Sequence, residues 1–103
     1  MTKSQIKQGP ASIESAVDEV LAAPGVVDSA IKAEEDGVQA VVIDCMLDPG
    51  LDAAREAVSI PVIGSGEAAM RAAGTNFAIV TVLQRQERAF ADLAAKYGLA
   101  DML

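Results

Sequence analysis

The sequence predicts an α/β fold, a three-layer α-β-α arrangement around a short parallel sheet. Three observations carry that expectation. Apolar residues make up 51% of the chain and aromatics only 3%, so the core must be built from Val, Ile, Leu and Ala. That suits buried parallel strands packed by Ala-rich helices. Three short runs, residues 38–45, 60–63 and 77–83, have strand composition. Helical patterns separate and follow them, and such crossovers imply parallel strands with right-handed connections.

Residues 1–11 show no periodicity and read as an arm or a cut end, which leaves 12–103 as the α/β region. Ile13, Ala16, Val17, Val20 and Leu21 recur as one apolar stripe of a helix capped by Ser12. Pro24-Gly25 should break that helix. Val26, Val27, Ala30 and Ile31 then continue on a second short helix that Gly37 stops. Residues 38–45 are apolar without alternation, the pattern of a strand buried on both faces. Asp48-Pro49 opens the next helix, with Asp48 as cap and Pro49 in the first turn. That helix presents Leu51, Ala54 and Val58.

Residues 60–63 form the second strand, with Pro61 tolerated near its start. Gly64-Ser65-Gly66 leads into a helix over 67–73 that Gly74 ends. Residues 77–83 form the third strand. A last helix over 86–97 turns Ala89, Phe90, Leu93, Ala94 and Tyr97 inward and stops at Gly98. Three strands are few for a self-sufficient sheet. An unpaired apolar edge recruits other chains, so association into a homo-oligomer is expected.

The formal charge of −7 argues against nucleic acid or an anionic membrane surface as partner. No apolar run approaches the roughly 20 residues that span a bilayer. The first eight residues lack the apolar segment of a signal peptide. A single cysteine excludes an internal disulfide and fits a reducing, cytoplasmic location. With no His, a zinc site would rest almost wholly on carboxylates, which argues against one.

Cys45 is the leading candidate for chemistry. It stands at the carboxyl end of the first strand, the edge where ligands bind in open α/β sheets. A thiol there is either an acid, base or nucleophile, or a small core residue at a strand end. A nearby helix N-terminus would favour its thiolate, whereas Asp44 and Asp48 would oppose it. Gly64-Ser65-Gly66-Glu67-Ala68-Ala69 has the form of a dinucleotide fingerprint. The acidic residue required about 20 positions later is missing, since Leu83, Gln84 and Arg85 stand there. Asp44 followed by Cys45-Met46-Leu47-Asp48-Pro49 is also similar to the phosphoacceptor loop of response-regulator receiver domains. The acidic pair and the Lys that complete a receiver site have no counterparts here. A non-catalytic α/β binding module is a further alternative.

Four blocks resemble, in order, the hydantoin/allantoin racemase branch of the aspartate/glutamate racemase superfamily. They are Gly9-Pro10-Ala11-Ser12-Ile13-Glu14-Ser15, the strand ending at Cys45 with Asp48-Pro49-Gly50-Leu51-Asp52-Ala53-Ala54-Arg55-Glu56, then Gly66-Glu67-Ala68-Ala69-Met70, and Phe77-Ala78-Ile79-Val80-Thr81. The resemblance runs from residue 9 to 103 and implies a pseudo-symmetric two-lobe fold. Residues 12–66 would be the end of the first lobe and 67–103 the start of the second. It implies a cofactor-independent isomerase for a small-molecule substrate, with Cys45 as one of two thiols flanking the substrate α-carbon. One thiolate removes the α-proton and the opposite thiol returns a proton. Gly64, Ser65 and Gly66 would present backbone N–H groups to a polar substrate group, and Thr81 would be a further substrate contact. The second cysteine is absent, as is the opening strand with its Asn-Pro-Asn-type loop. The chain is therefore expected to be the middle of a protein about twice as long, and inactive as a racemase alone.

Overall fold

The computed structural model describes Ile6 and residues 9–103, so the expected arm lies largely outside the described residues. Its elements run α1 (Ala16–Glu35), β1 (Val41–Ile43), α2 (Leu51–Ala57), β2 (Val62–Gly64), α3 (Ser65–Ala73) and α4 (Arg85–Lys96), with a closing 3-10 turn at Ala100–Met102. β1 and β2 pair in parallel, with Val41 opposite Val62, Val42 opposite Ile63 and Ile43 opposite Gly64. The α/β class and the short parallel sheet are therefore observed, although among the described residues the sheet holds two strands.

α1 is one continuous helix where two were expected. Ser15, not Ser12, caps it: its hydroxyl accepts from the Asp18 N–H at 3.2 Å. Pro24 sits inside the helix. A proline there removes one backbone hydrogen bond and costs about 3 kcal/mol. The missing bond falls between Val20 and Pro24, both on the exposed side, so the Val20 carbonyl is open to solvent. Packing against α2 holds the two halves in line. Ala22 and Ala30 are buried, and Gly50 approaches so closely that a Cβ on it would lie 3.1 Å from the Ala23 carbonyl. The expected apolar stripe consequently faces outward in part, with Val17, Val20 and Leu21 exposed.

Two apolar clusters meet at the end of the sheet. The first joins Ala30 of α1, Ile43 and Val62 of the strands, and Leu51, Ala54 and Val58. The second joins Leu47, Met70 of α3, and Phe90, Leu93 and Ala94 of α4. Leu51 and Met70 are fully buried, each contributing about 2 kcal/mol by leaving water. Cys45 and Tyr97 pack against both clusters.

The strand run 38–45 is shorter and less covered than its composition predicts. Only three of its residues form the ladder. One face carries Val41 and Ile43 into the first cluster, while Val42 and its neighbour Ile63 on the other face are exposed. The expected third strand is also corrected. Residues 77–83 alternate inward and outward as a strand would, yet belong to no sheet. Phe77 and Ile79 lean on the second cluster, and Val80 and Val82 are 96% and 94% exposed. The period of the side chains is present without a neighbouring backbone to bond. α3 and α4 follow expectation closely, and Gly74 ends α3 with a φ of 76°.

Candidate active site

β1 delivers the chain to Asp44 and Cys45, and a turn closed by Asp48 N–H donating to the Cys45 carbonyl at 2.9 Å follows. Asp44 is exposed, Cys45 half-buried, and Leu47 and Asp48 buried. The thiol is thus neither sealed in the core nor free on the surface. Burial pushes its pKa up, and the carboxylates of Asp48, Glu19 and Asp44 push the same way. A hydrogen bond from the Leu47 backbone works against them by favouring the thiolate.

Cys45 opens into a shallow hollow of about 330 Å³, at the small end of the range for ligand pockets. Thr81, Gln86 and Phe90 line it with Met46 and the exposed Val80 and Val82. The Thr81 hydroxyl donates to Gln86 Oε1 at 2.6 Å, and Gln86 Nε2 donates to the Ile13 carbonyl at 3.2 Å. The structure therefore brings Cys45, Thr81 and Gln86 together in a concavity otherwise lined by apolar side chains.

Gly64, Ser65 and Gly66 do not line that hollow. Gly64 and Gly66 instead face the Cys45 turn through its other members, Gly64 at Asp48 and Gly66 at Met46 and Asp48. Asp48 does not cap α2 as expected; Gly50, in left-handed conformation, precedes that helix. The Asp48 carboxylate instead accepts from the Gly66 N–H at 2.8 Å and the Glu67 N–H at 2.7 Å. Two of the free amides at the start of α3 are thereby occupied by the protein itself. The Tyr97 hydroxyl donates to the same carboxylate at 2.5 Å. Burial raises the Tyr97 pKa well above its ordinary value, and the Asp48 hydrogen bond and charge raise it further.

The same approach explains both glycines. A Cβ on Gly64 would lie 2.6 Å from the Asp48 carboxyl, and one on Gly66 would lie 2.1 Å from the Met46 carbonyl oxygen. The Gly-Ser-Gly spacing is thus required by the neighbouring turn. Arg55 ties the outside of this junction, donating to the Val62 carbonyl and to Glu67, each at 2.9 Å. Its guanidinium, with that of Arg71, holds the Glu67 carboxyl below the ordinary range.

Sequence reasoning missed the role of Asp48. The local signal, Asp-Pro before a helix, points to a cap for the following helix. The partners actually used lie 18, 19 and 49 residues away. Two hints were available: aspartate tolerates left-handed backbone, which Asp48 adopts with φ 51°, and a Gly-x-Gly segment signals close backbone approach.

The Asp/Glu/hydantoin racemase family profile matches residues 1–103. The chain is 48% identical over 96 residues to hydantoin racemase of Pseudomonas sp. (strain NS671), covering 90% of this chain and 39% of that protein. It is 44% identical over 92 residues to hydantoin racemase of Rhizobium meliloti, covering 86% and 38%. Allantoin racemase from Klebsiella pneumoniae has a similar structure, with a TM-score of 0.90 and 42% identity over 93% of this chain and 40% of that one. The chain therefore spans about two fifths of the length of these relatives. None of these matches favours a receiver domain with Asp44 as phosphoacceptor. Among the described residues no helix is long and apolar enough to cross a membrane.

Proposed function

This chain belongs to the Asp/Glu/hydantoin racemase family, and we propose that it carries one acid–base thiol of a cofactor-independent racemase. The substrate class is a small cyclic amide such as a 5-substituted hydantoin or allantoin, in line with what the relatives' names state of those proteins. In this reading residues 12–66 and 67–103 contribute to two lobes, and the protein works in the cytoplasm as an oligomer.

The observation that carries the proposal is the half-buried Cys45 opening into the same hollow as Thr81 at the end of β1. Cys45 thiolate takes the proton from the ring carbon between the side chain and the carbonyl. The electron pair left on that carbon delocalises into the carbonyl. A second acid on the opposite face returns a proton to carbon, which inverts the centre and leaves that acid deprotonated for the reverse cycle. Thr81 contacts the ring, while the Gly64-Ser65-Gly66 segment supports the Cys45 turn from behind through Asp48. The 103 residues hold no second Cys and no His, so in this reading the second acid is neither another thiol nor an imidazole of this chain.

Decay of circular dichroism in an optically pure 5-substituted hydantoin tests the reading. The chain alone should give no sustained racemisation. Turnover that survives Cys45→Ala would overturn the mechanism.

A further inference from the structure

The Cys45 turn is held by one carboxylate whose contacts lie at the start of α3 and on Tyr97, the residue that follows α4. We infer that Asp48 is the positioning residue for Cys45: it clamps the Cys45–Asp48 turn to the start of α3 and to Tyr97, fixing the thiol at the mouth of the hollow. The inference rests on the reading of Cys45 as the acid–base group, but its geometry stands independently. Asp48 is only 6% exposed, and three donors, Gly66 N–H, Glu67 N–H and Tyr97 O–H, converge on its carboxylate. A buried carboxylate is retained where its hydrogen bonds are complete. The backbone around it is shaped for this one contact. Asp48 adopts a left-handed φ, and Gly64 and Gly66 both leave room that a Cβ would fill.

The turn is short, so what Asp48 fixes, Cys45 inherits. Asp48 N–H bonds the Cys45 carbonyl, and only Met46 and Leu47 lie between them. Met46 presses its carbonyl on Gly66, and Leu47 is anchored in the second cluster. Releasing the carboxylate frees the turn on its α3 side while the β1 side stays paired. A displacement of about 1 Å at a proton-transferring group costs on the order of 100-fold in rate.

Two variants test the clamp. Asp48→Asn keeps the shape but sets an amide N–H₂ against donors, and Tyr97→Phe removes one donor and keeps the charge. Cys45 is the sole thiol, so its alkylation by iodoacetamide reports the turn alone, whatever the reaction catalysed. In Asp48→Asn alkylation should become several-fold faster with an unchanged circular-dichroism spectrum, and the midpoint of its pH profile should move to lower pH as a neighbouring charge is lost. In Tyr97→Phe the rate should rise by a smaller factor and the midpoint should stay. A change in midpoint without a change in limiting rate would show that Asp48 acts on Cys45 by charge only and would overturn the clamp. Unchanged alkylation in both would do the same. Should Asp48→Asn fail to fold, Tyr97→Phe decides alone. The racemase reading is tested separately by Cys45→Ala, so its failure leaves the clamp result intact.

Discussion

Two apolar stretches of similar composition have opposite fates in this molecule. Residues 41–43 and 62–64 pair as strands, and Val62 is buried to 4% exposure. Residues 77–83 also carry Val and Ile and show the same alternation, yet Val80 and Val82 stand almost fully in solvent. The difference lies in their neighbours. β2 is followed immediately by α3, whose first amides are tied back to the turn after β1 by Asp48, while Arg55 holds its carbonyl edge. Residues 77–83 are tied by backbone only at their two ends, Phe77 N–H to the Met102 carbonyl and the Leu83 carbonyl to the Gln86 N–H at the start of α4, and among the described residues nothing pairs with the stretch between. Apolar composition thus selects an extended chain, and only a fixed partner edge turns it into a strand.

The largest expected effect breaks the tied region. Gly66→Val places a side chain where a Cβ already lies 2.1 Å from the Met46 carbonyl, so urea unfolding should show a loss on the order of 3 kcal/mol. A variant as stable as the parent would mean that the two turns are not in rigid contact. The next effect is pH-dependent. The Tyr97 hydroxyl is raised above its ordinary pKa of about 10 by burial and by Asp48. Its contribution to stability is therefore fully present below pH 10 and lost as the pH rises toward the folded value. Ionisation of Tyr97, the sole tyrosine, should coincide with alkaline loss of the helical circular-dichroism signal, and in Tyr97→Phe that circular-dichroism transition should move to higher pH.

The smallest effect sharpens the comparison from the other side. Val80→Ser with Val82→Ser should change stability by no more than about 0.5 kcal/mol, as for surface sites generally. Sedimentation at micromolar concentration should nevertheless show less self-association than in the parent, because an unpaired apolar edge is removed. A marked loss of stability would reveal that these valines are packed in solution.

The same contrast explains what could be read from the sequence. α3, α4 and the glycine ends of both were legible because caps and helical periodicity are local properties. The position of Cys45 at the end of β1 followed from the apolar run that precedes it. Continuous α1 was not legible, since Pro24 is a local break that only the burial of Ala22 and Ala30 against α2 overrides. Nor was Asp48, whose local signal pointed to the wrong helix. The third strand failed for the reason given above: a strand is a property of two segments. Cys45 and Thr81 sharing a hollow was expected from the family resemblance, whereas the occupation of the Gly66 and Glu67 amides by Asp48 was visible only in three dimensions.

If Cys45 moves the α-proton, exchange of that proton with solvent deuterium depends on the thiol. An optically pure 5-substituted hydantoin is incubated in D₂O with the chain, and loss of the α-proton signal is followed by NMR. Removal of a general base of this kind typically costs 10²–10⁴-fold in rate. Exchange above the buffer blank that falls about 100-fold or more in Cys45→Ala is the predicted result. Exchange no faster than buffer, or equal in the parent chain and Cys45→Ala, would contradict the account.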